Sequence, residues 1–335
     1  MAPQPRGDRR APSLARFRRT LLAALVTAAV TVPLAGAARP ADVPAPAPAA
    51  TAPLTATEPT ALGAELTARY AAGRAEVRAA ARTAETHGAH RRAASLHRMA
   101  APERRFLSFD GRDGGRSAEV VGDLARADLI AVLVPGADTG LDAYDRFHRG
   151  ATALHDTVRH QTGGGRIAVV AWLGYRTPAT GSAASLTPGR AEQAAPRLRA
   201  LVEELARIRP AARITLLGHS YGSVVCARAA AGLPVASVVL YGSPGTGFDG
   251  AADLRTRATV WAGRATGDWV GDVPHTRVPL LSGTELGFGT DPVDPAFGAR
   301  VFAAGDGGHS DYLAPGSVSL RNLAAITAGR EPSHA

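Results

Sequence analysis

Beyond Pro102 the chain alternates short apolar runs with longer amphipathic stretches, a rhythm that leaves few ways to fold. Strands buried on both faces read as unbroken apolar segments, and the helices that cross between parallel neighbours read as amphipathic ones. Leu129 to Val134 and Ile167 to Trp172 are such runs, and Ile214 to Leu217, Val235 to Leu240, Ala258 to Trp261 and Val301 to Ala303 continue the series. Helical spacing occupies Asp142 to His160 and Gly189 to Ile208, with a last helix near Leu320 to Ala328. Arg105 to Phe109 and Ser117 to Val121 flank Asp110-Gly111-Arg112-Asp113-Gly114-Gly115, which suits a hairpin turn. The opening pair is therefore expected to be antiparallel and the later strands parallel. The expected class is α/β, a mostly parallel central sheet with helices on both faces, preceded by a helical N-terminal segment.

Residues 1–37 read as something other than fold. Six arginines and one aspartate crowd residues 6 to 19, an apolar run from Leu21 to Leu34 follows, and Ala35-Gly36-Ala37 supplies the small residues that signal peptidase accepts. This is the pattern of an export signal, and Phe17 to Leu22 loosely fits its twin-arginine form, which would put the protein outside the cell or in the envelope. An uncleaved anchor is the competing reading, although the run is shorter than the ~20 residues a span needs and contains Pro33. Residues 38–60 carry six prolines among alanines and threonines and read as a disordered linker. From 61 to 100 the composition is helix-forming, and Leu62, Leu66 and Tyr70 recur every four residues. The basic cluster of Arg91, Arg92, His97, Arg98, Arg104 and Arg105 is either a solvated face or a weak contact for an anionic cell surface. The α/β domain then runs over 101–330.

Composition narrows the chemistry. All 38 basic residues are arginine, so Schiff-base chemistry, a P-loop lysine and Ser-Lys dyads are excluded. The lone cysteine, Cys226, excludes an intramolecular disulfide and a multi-thiolate metal site, and its place on an apolar helix makes it a small core side chain. Removing the signal would lower the formal charge from +9 to +4, so nucleic acid is not an expected partner. Neither cofactor nor metal is expected, which leaves serine and histidine to carry nucleophilic catalysis.

Gly218-His219-Ser220-Tyr221-Gly222 is the strongest chemical signal. The apolar run ending at Leu217 feeds directly into it, and Val224 to Ala231 follows as a buried helix. Glycines on both sides let the chain turn sharply enough to present Ser220 on a strained strand-to-helix bend, with the Tyr221 amide aimed at a developing oxyanion. A serine needs a histidine to take its proton. His148, His155 and His160 fall on an arginine-rich amphipathic helix, His275 lies in a proline-rich stretch, and His309 sits in the glycine-rich loop Gly305 to His309.

With Val134-Pro135-Gly136-Ala137, Ala171-Trp172-Leu173-Gly174-Tyr175 and Gly308-His309-Ser310, this elbow resembles the α/β-hydrolase superfamily over Phe106 to Gly329, and within it the actinobacterial branch with a G-H-S-Y-G elbow. The resemblance implies a Ser-acid-His triad in that chain order, with His309 after the last strand as the base. It implies Asp268 as the acid after the penultimate strand, with Asp272 and Asp291 as alternatives. It also implies a second oxyanion donor from the loop after the third strand, where the amides of Gly136 and Ala137 stand; Pro135 replaces the histidine found in many lipases, and Ala137 is the preferred donor. Trp172, Tyr175 and the loop Ser243 to Phe248 would line a pocket or simply fill the core, and the Pro- and Gly-rich stretch 273–298 is a candidate lid. The function so implied is an exported serine esterase acting on a small-molecule ester or acyl substrate. An amidase or peptidase on the same triad, or a non-catalytic surface binding protein that keeps the fold, are the alternatives.

Overall fold

The computed structural model describes residues 43–279 and 285–334, so the expected export signal at 1–37 lies outside the described residues. Eight strands form one sheet in the order β1-β2-β4-β3-β5-β6-β7-β10: β1 (Phe106–Asp110), β2 (Arg116–Gly122), β3 (Leu129–Val134), β4 (Ile167–Leu173), β5 (Arg213–His219), β6 (Ser237–Tyr241), β7 (Thr259–Gly263) and β10 (Arg300–Val301). As expected, β1 and β2 pair antiparallel and β3 to β7 pair parallel. The antiparallel pair joins the rest through β2 against β4. A small hairpin of β8 (Val278–Pro279) and β9 (Glu285–Leu286) lies in the stretch expected as a lid.

Strand alternation sorts the core onto two faces. Ile130, Val132 and Val134 face α4 (Gly189–Ile208) and α5 (Tyr221–Ala229), whereas Ala131 and Leu133 face α3 (Tyr144–Gln161) and α6 (Val318–Thr327). Helices cover both faces of the parallel part of the sheet, which is why β3 and β4 carry no polar side chain apart from the Trp172 indole. Among the described residues no helix is long and apolar enough to cross a membrane.

The expected helical segment is two helices, α1 (Pro59–Thr86), laid against β1, and α2 (His90–Met99), packed on α1. Leu62, Leu66, Val77, Ala81 and Ala84 form the buried stripe of α1. Gly73 lets that helix ride on the strand, since a Cβ there would stand 2.7 Å from the Phe106 carbonyl oxygen. Residues 43–58 fall within the stretch expected as a linker. This segment lies extended along α1, with Leu54 buried and Val43 and Ala45 packed beside Phe106 and Phe109. Some of its amides donate to helix side chains, Ala49 N to Glu76 Oε1 at 2.8 Å and Thr55 N to Glu65 Oε2 at 2.9 Å.

The basic cluster is spent largely inside the chain. Arg92 pairs with Asp142, His97 with Glu85, Arg98 with Asp145 and Arg104 with Glu119, while Arg105 donates to the Gly122 carbonyl.

Candidate active site

Ser220 stands between the end of β5 and the start of α5 with φ 51° and ψ −125°, a strained conformation for a residue with a side chain. Two close approaches hold it there. A Cβ on Gly222 would lie 2.3 Å from the Val134 carbonyl oxygen, and one on Gly218 would lie 2.7 Å from the Gly222 oxygen. Only glycines allow the turn to close against the neighbouring strand. The Ser220 amide donates to the Tyr241 carbonyl at 3.0 Å, so the bend is also tied to β6.

The sheet brings three distant residues to this point. Ser220 Oγ donates to His309 Nε2 at 2.9 Å, and His309 Nδ1 donates to Asp268 Oδ1, also at 2.9 Å. Asp268 follows β7 and caps a short helix, Trp269–Asp272, by accepting from the Val270 amide at 2.9 Å. His309 comes from the loop after β10, and its carboxylate partner is wholly buried. Of the alternative acids, Asp272 ends that short helix, and Asp291 pairs with Arg264 and lies 3.6 Å from His275. Neither meets Nδ1. The other histidines are engaged elsewhere, His148 with Glu119 and His155 with Asp156.

Two supporting residues escaped the sequence reading. Tyr312 donates its hydroxyl to Asp268 Oδ2 at 2.5 Å and accepts from the Ala265 amide at 3.1 Å. Burial alone would raise the Asp268 carboxyl, but the hydrogen bonds from His309, Tyr312 and the Val270 amide outweigh it and hold the group below the ordinary carboxylate value. His219, within the elbow, donates Nε2–H to the His309 carbonyl oxygen at 2.8 Å, with its ring 4.7 Å from the His309 ring. Burial drives the His219 pKa down to about 3, so it remains neutral beside the His309 ring. Its spacing from Ser220 carries no signal. Tyr312 lies three residues past His309, so the loop that carries His309 also carries a brace for Asp268.

The Tyr221 amide opens α5, where a helix has no internal acceptor for it. The loop after β3 passes close by, a Cβ on Gly136 falling 3.2 Å from Ser220 Oγ. The Asp138 amide already donates to the Pro178 carbonyl at 3.0 Å, which leaves those of Gly136 and Ala137 as the loop's candidate donors. Trp172 and Tyr175 are core aromatics: they stack with ring centroids 6.1 Å apart, and the Tyr175 hydroxyl braces the Pro135 carbonyl at 2.6 Å. Ser243 is buried under α5 in contact with Ser223. Within 273–298, Phe288 packs edge-on against Tyr221 at 5.7 Å, so this stretch covers the flank of the elbow. Cys226 is buried, and burial pushes its thiol well up, as befits a core side chain.

An α/β sheet with a serine on its strand-to-helix elbow, and a histidine and a carboxylate delivered from later strand ends, defines the α/β-hydrolase class. The chain belongs to the alpha/beta hydrolase family, whose model matches residues 110–278, about half the chain, including Ser220 and Asp268. An uncharacterized protein of Mycobacterium tuberculosis is 30% identical over 252 residues, which cover 67% of this chain and 38% of that protein. A second from the same organism is 42% identical over 91 residues, 26% of this chain and 34% of its own length. The chain thus spans well under half the length of the curated relatives it matches. Among solved structures, a serine hydrolase without lid from Xanthomonas campestris is 18% identical with a TM-score of 0.41, covering 68% of this chain and 95% of that one. The 2,6-dihydroxy-pseudo-oxynicotine hydrolase is 16% identical with a TM-score of 0.44, covering 81% and 86%.

Proposed function

We propose that this member of the family is an exported serine hydrolase that cleaves carboxylic esters through an acyl-enzyme on Ser220. One observation carries the reading, the unbroken run from Ser220 Oγ through His309 to Asp268 with both hydrogen bonds at 2.9 Å. Ser220 Oγ attacks the carbonyl carbon as its proton passes to His309 Nε2, and Asp268 steadies the imidazolium. The amides of Tyr221 and Ala137 take the oxyanion. Collapse breaks the bond to the alcohol, whose oxygen receives the proton from His309. Water then repeats the sequence on the acyl-serine, releasing the acid and restoring Ser220. No cofactor enters these steps.

A fluorophosphonate probe should label the wild-type protein at Ser220 and leave Ser220→Ala unlabelled. A folded wild type that does not react would end the enzyme reading. Matched nitrophenyl esters and nitroanilides then decide the bond, with faster turnover of the esters expected; the reverse order would make the protein an amidase. Export rests on residues 1–37 alone. Expressed in an actinobacterial host, the protein should be recovered from the medium or envelope with a new N-terminus at Ala38, and recovery from the cytosol at full length would refute export.

A further inference from the structure

Of the three tryptophans, Trp172 and Trp261 are each 4% exposed, whereas Trp269 is 50% exposed. An indole left half in water beside a reacting group forgoes apolar burial that a bound molecule can supply. Trp269 is also held in place. It follows Asp268 directly, and the Asp268 cap on the Val270 amide fixes the backbone on either side of it. Its ring centroid lies 4.9 Å from that of His309, with 53° between the planes. The His219 ring makes the corresponding approach to His309 at 4.7 Å from a part-buried position. The His309 imidazole is therefore flanked by two rings, of which that of Trp269 is the more open.

The leaving oxygen must come within hydrogen-bond reach of His309 Nε2 to collect its proton, so whatever that oxygen carries emerges beside the imidazole. A methyl group there offers an indole centred 4.9 Å from the imidazole centre far less apolar surface to cover than an aryl ring does. We propose that Trp269 is a specificity-determining residue whose open face packs against the alcohol moiety, so that esters of aromatic alcohols are selected over those of small alkyl alcohols. This rests on the serine-hydrolase reading above.

The test compares acetate esters of 2-naphthol, phenol and methanol by kcat/KM, which reports the acylation step in which the alcohol leaves. Intrinsic leaving-group reactivity cancels when each variant is divided by wild type on the same ester. Trp269→Ala is expected to lower kcat/KM on 2-naphthyl acetate about five- to tenfold more than on methyl acetate, with phenyl acetate between. Trp269→Phe should restore most of the difference. Equal losses on all three esters would mean a structural or general role and would overturn the proposal, as would no loss. Fluorophosphonate labelling of Ser220 is run on the same samples. Labelling with unchanged selectivity sinks the Trp269 proposal alone, while a folded wild type that does not label sinks the hydrolase reading and this inference with it.

Discussion

Asp268→Asn is expected to lower kcat/KM on a nitrophenyl ester by about four orders of magnitude without unfolding the protein. The effect comes through a proton's location. Asp268 Oδ1 accepts from His309 Nδ1–H at 2.9 Å, which puts the imidazole lone pair on Nε2, facing Ser220 Oγ at the same distance. An asparagine amide can present an N–H to Nδ1 instead, moving the ring proton to Nε2 and leaving nothing there to receive the serine proton. The imidazolium formed during attack would also lose a negative neighbour. The native group can act in this way because Asp268 stays ionised: burial opposes its charge, but the donors on His309, Tyr312 and the Val270 amide prevail. Steady-state kinetics with Asp291→Asn as the companion variant make the test discriminating. Asp291 is committed to Arg264 and should be nearly neutral for turnover. Near-normal activity in Asp268→Asn, or a collapse in Asp291→Asn, would reassign the acid.

What could be read from the sequence divides by the distance over which the physics acts. Leu129 to Val134 and Ile167 to Trp172 are recognisable as strands because burial on both faces demands uninterrupted apolar character, a requirement local to each run. The elbow is equally local, since the apolar strand, two glycines and a serine lie within a dozen residues. His309 and Asp268 could be named only through the family resemblance, because the hydrogen bonds that define them span 89 and 41 residues. The attachment of the antiparallel pair through β2 and β4 left no mark in either strand. At 43–58 the low apolar content carries no sign of Glu65 and Glu76 on α1, which accept from amides of this segment. The contact of His219 with the His309 backbone exists only once the sheet has assembled.

Arg104 shows the same effect with a larger energetic consequence. In the sequence it belongs to a basic surface cluster, yet its side chain is 7% exposed and faces Glu119 on β2, which is 1% exposed. Both guanidinium donors engage the carboxylate, Nη2 to Oε2 at 2.8 Å, and His148 Nδ1 on α3 approaches Oε2 at 3.1 Å. The guanidinium also sits 5.7 Å from the Phe106 ring and 5.8 Å from that of Tyr144. This cluster thus pins the entry to β1, the second strand and α3 at one buried point. Truncating one partner strips a buried charge of its main counterion, so Glu119→Leu or Arg104→Met alone is expected to cost about 3–5 kcal/mol of folding free energy. The double variant should cost much less than the sum, because it buries no charge at all. Acid adds a second signature. Burial would raise the Glu119 pKa, but the Arg104 and His148 contacts lower it on balance. A depressed folded pKa contributes stability that is present above the ordinary carboxylate value and lost as pH falls through the depressed one. Wild type should therefore lose stability over that acidic window more steeply than the double variant in urea denaturation. Single variants that each cost under about 1 kcal/mol would mean that water reaches the pair and that it contributes no more than an exposed surface bridge.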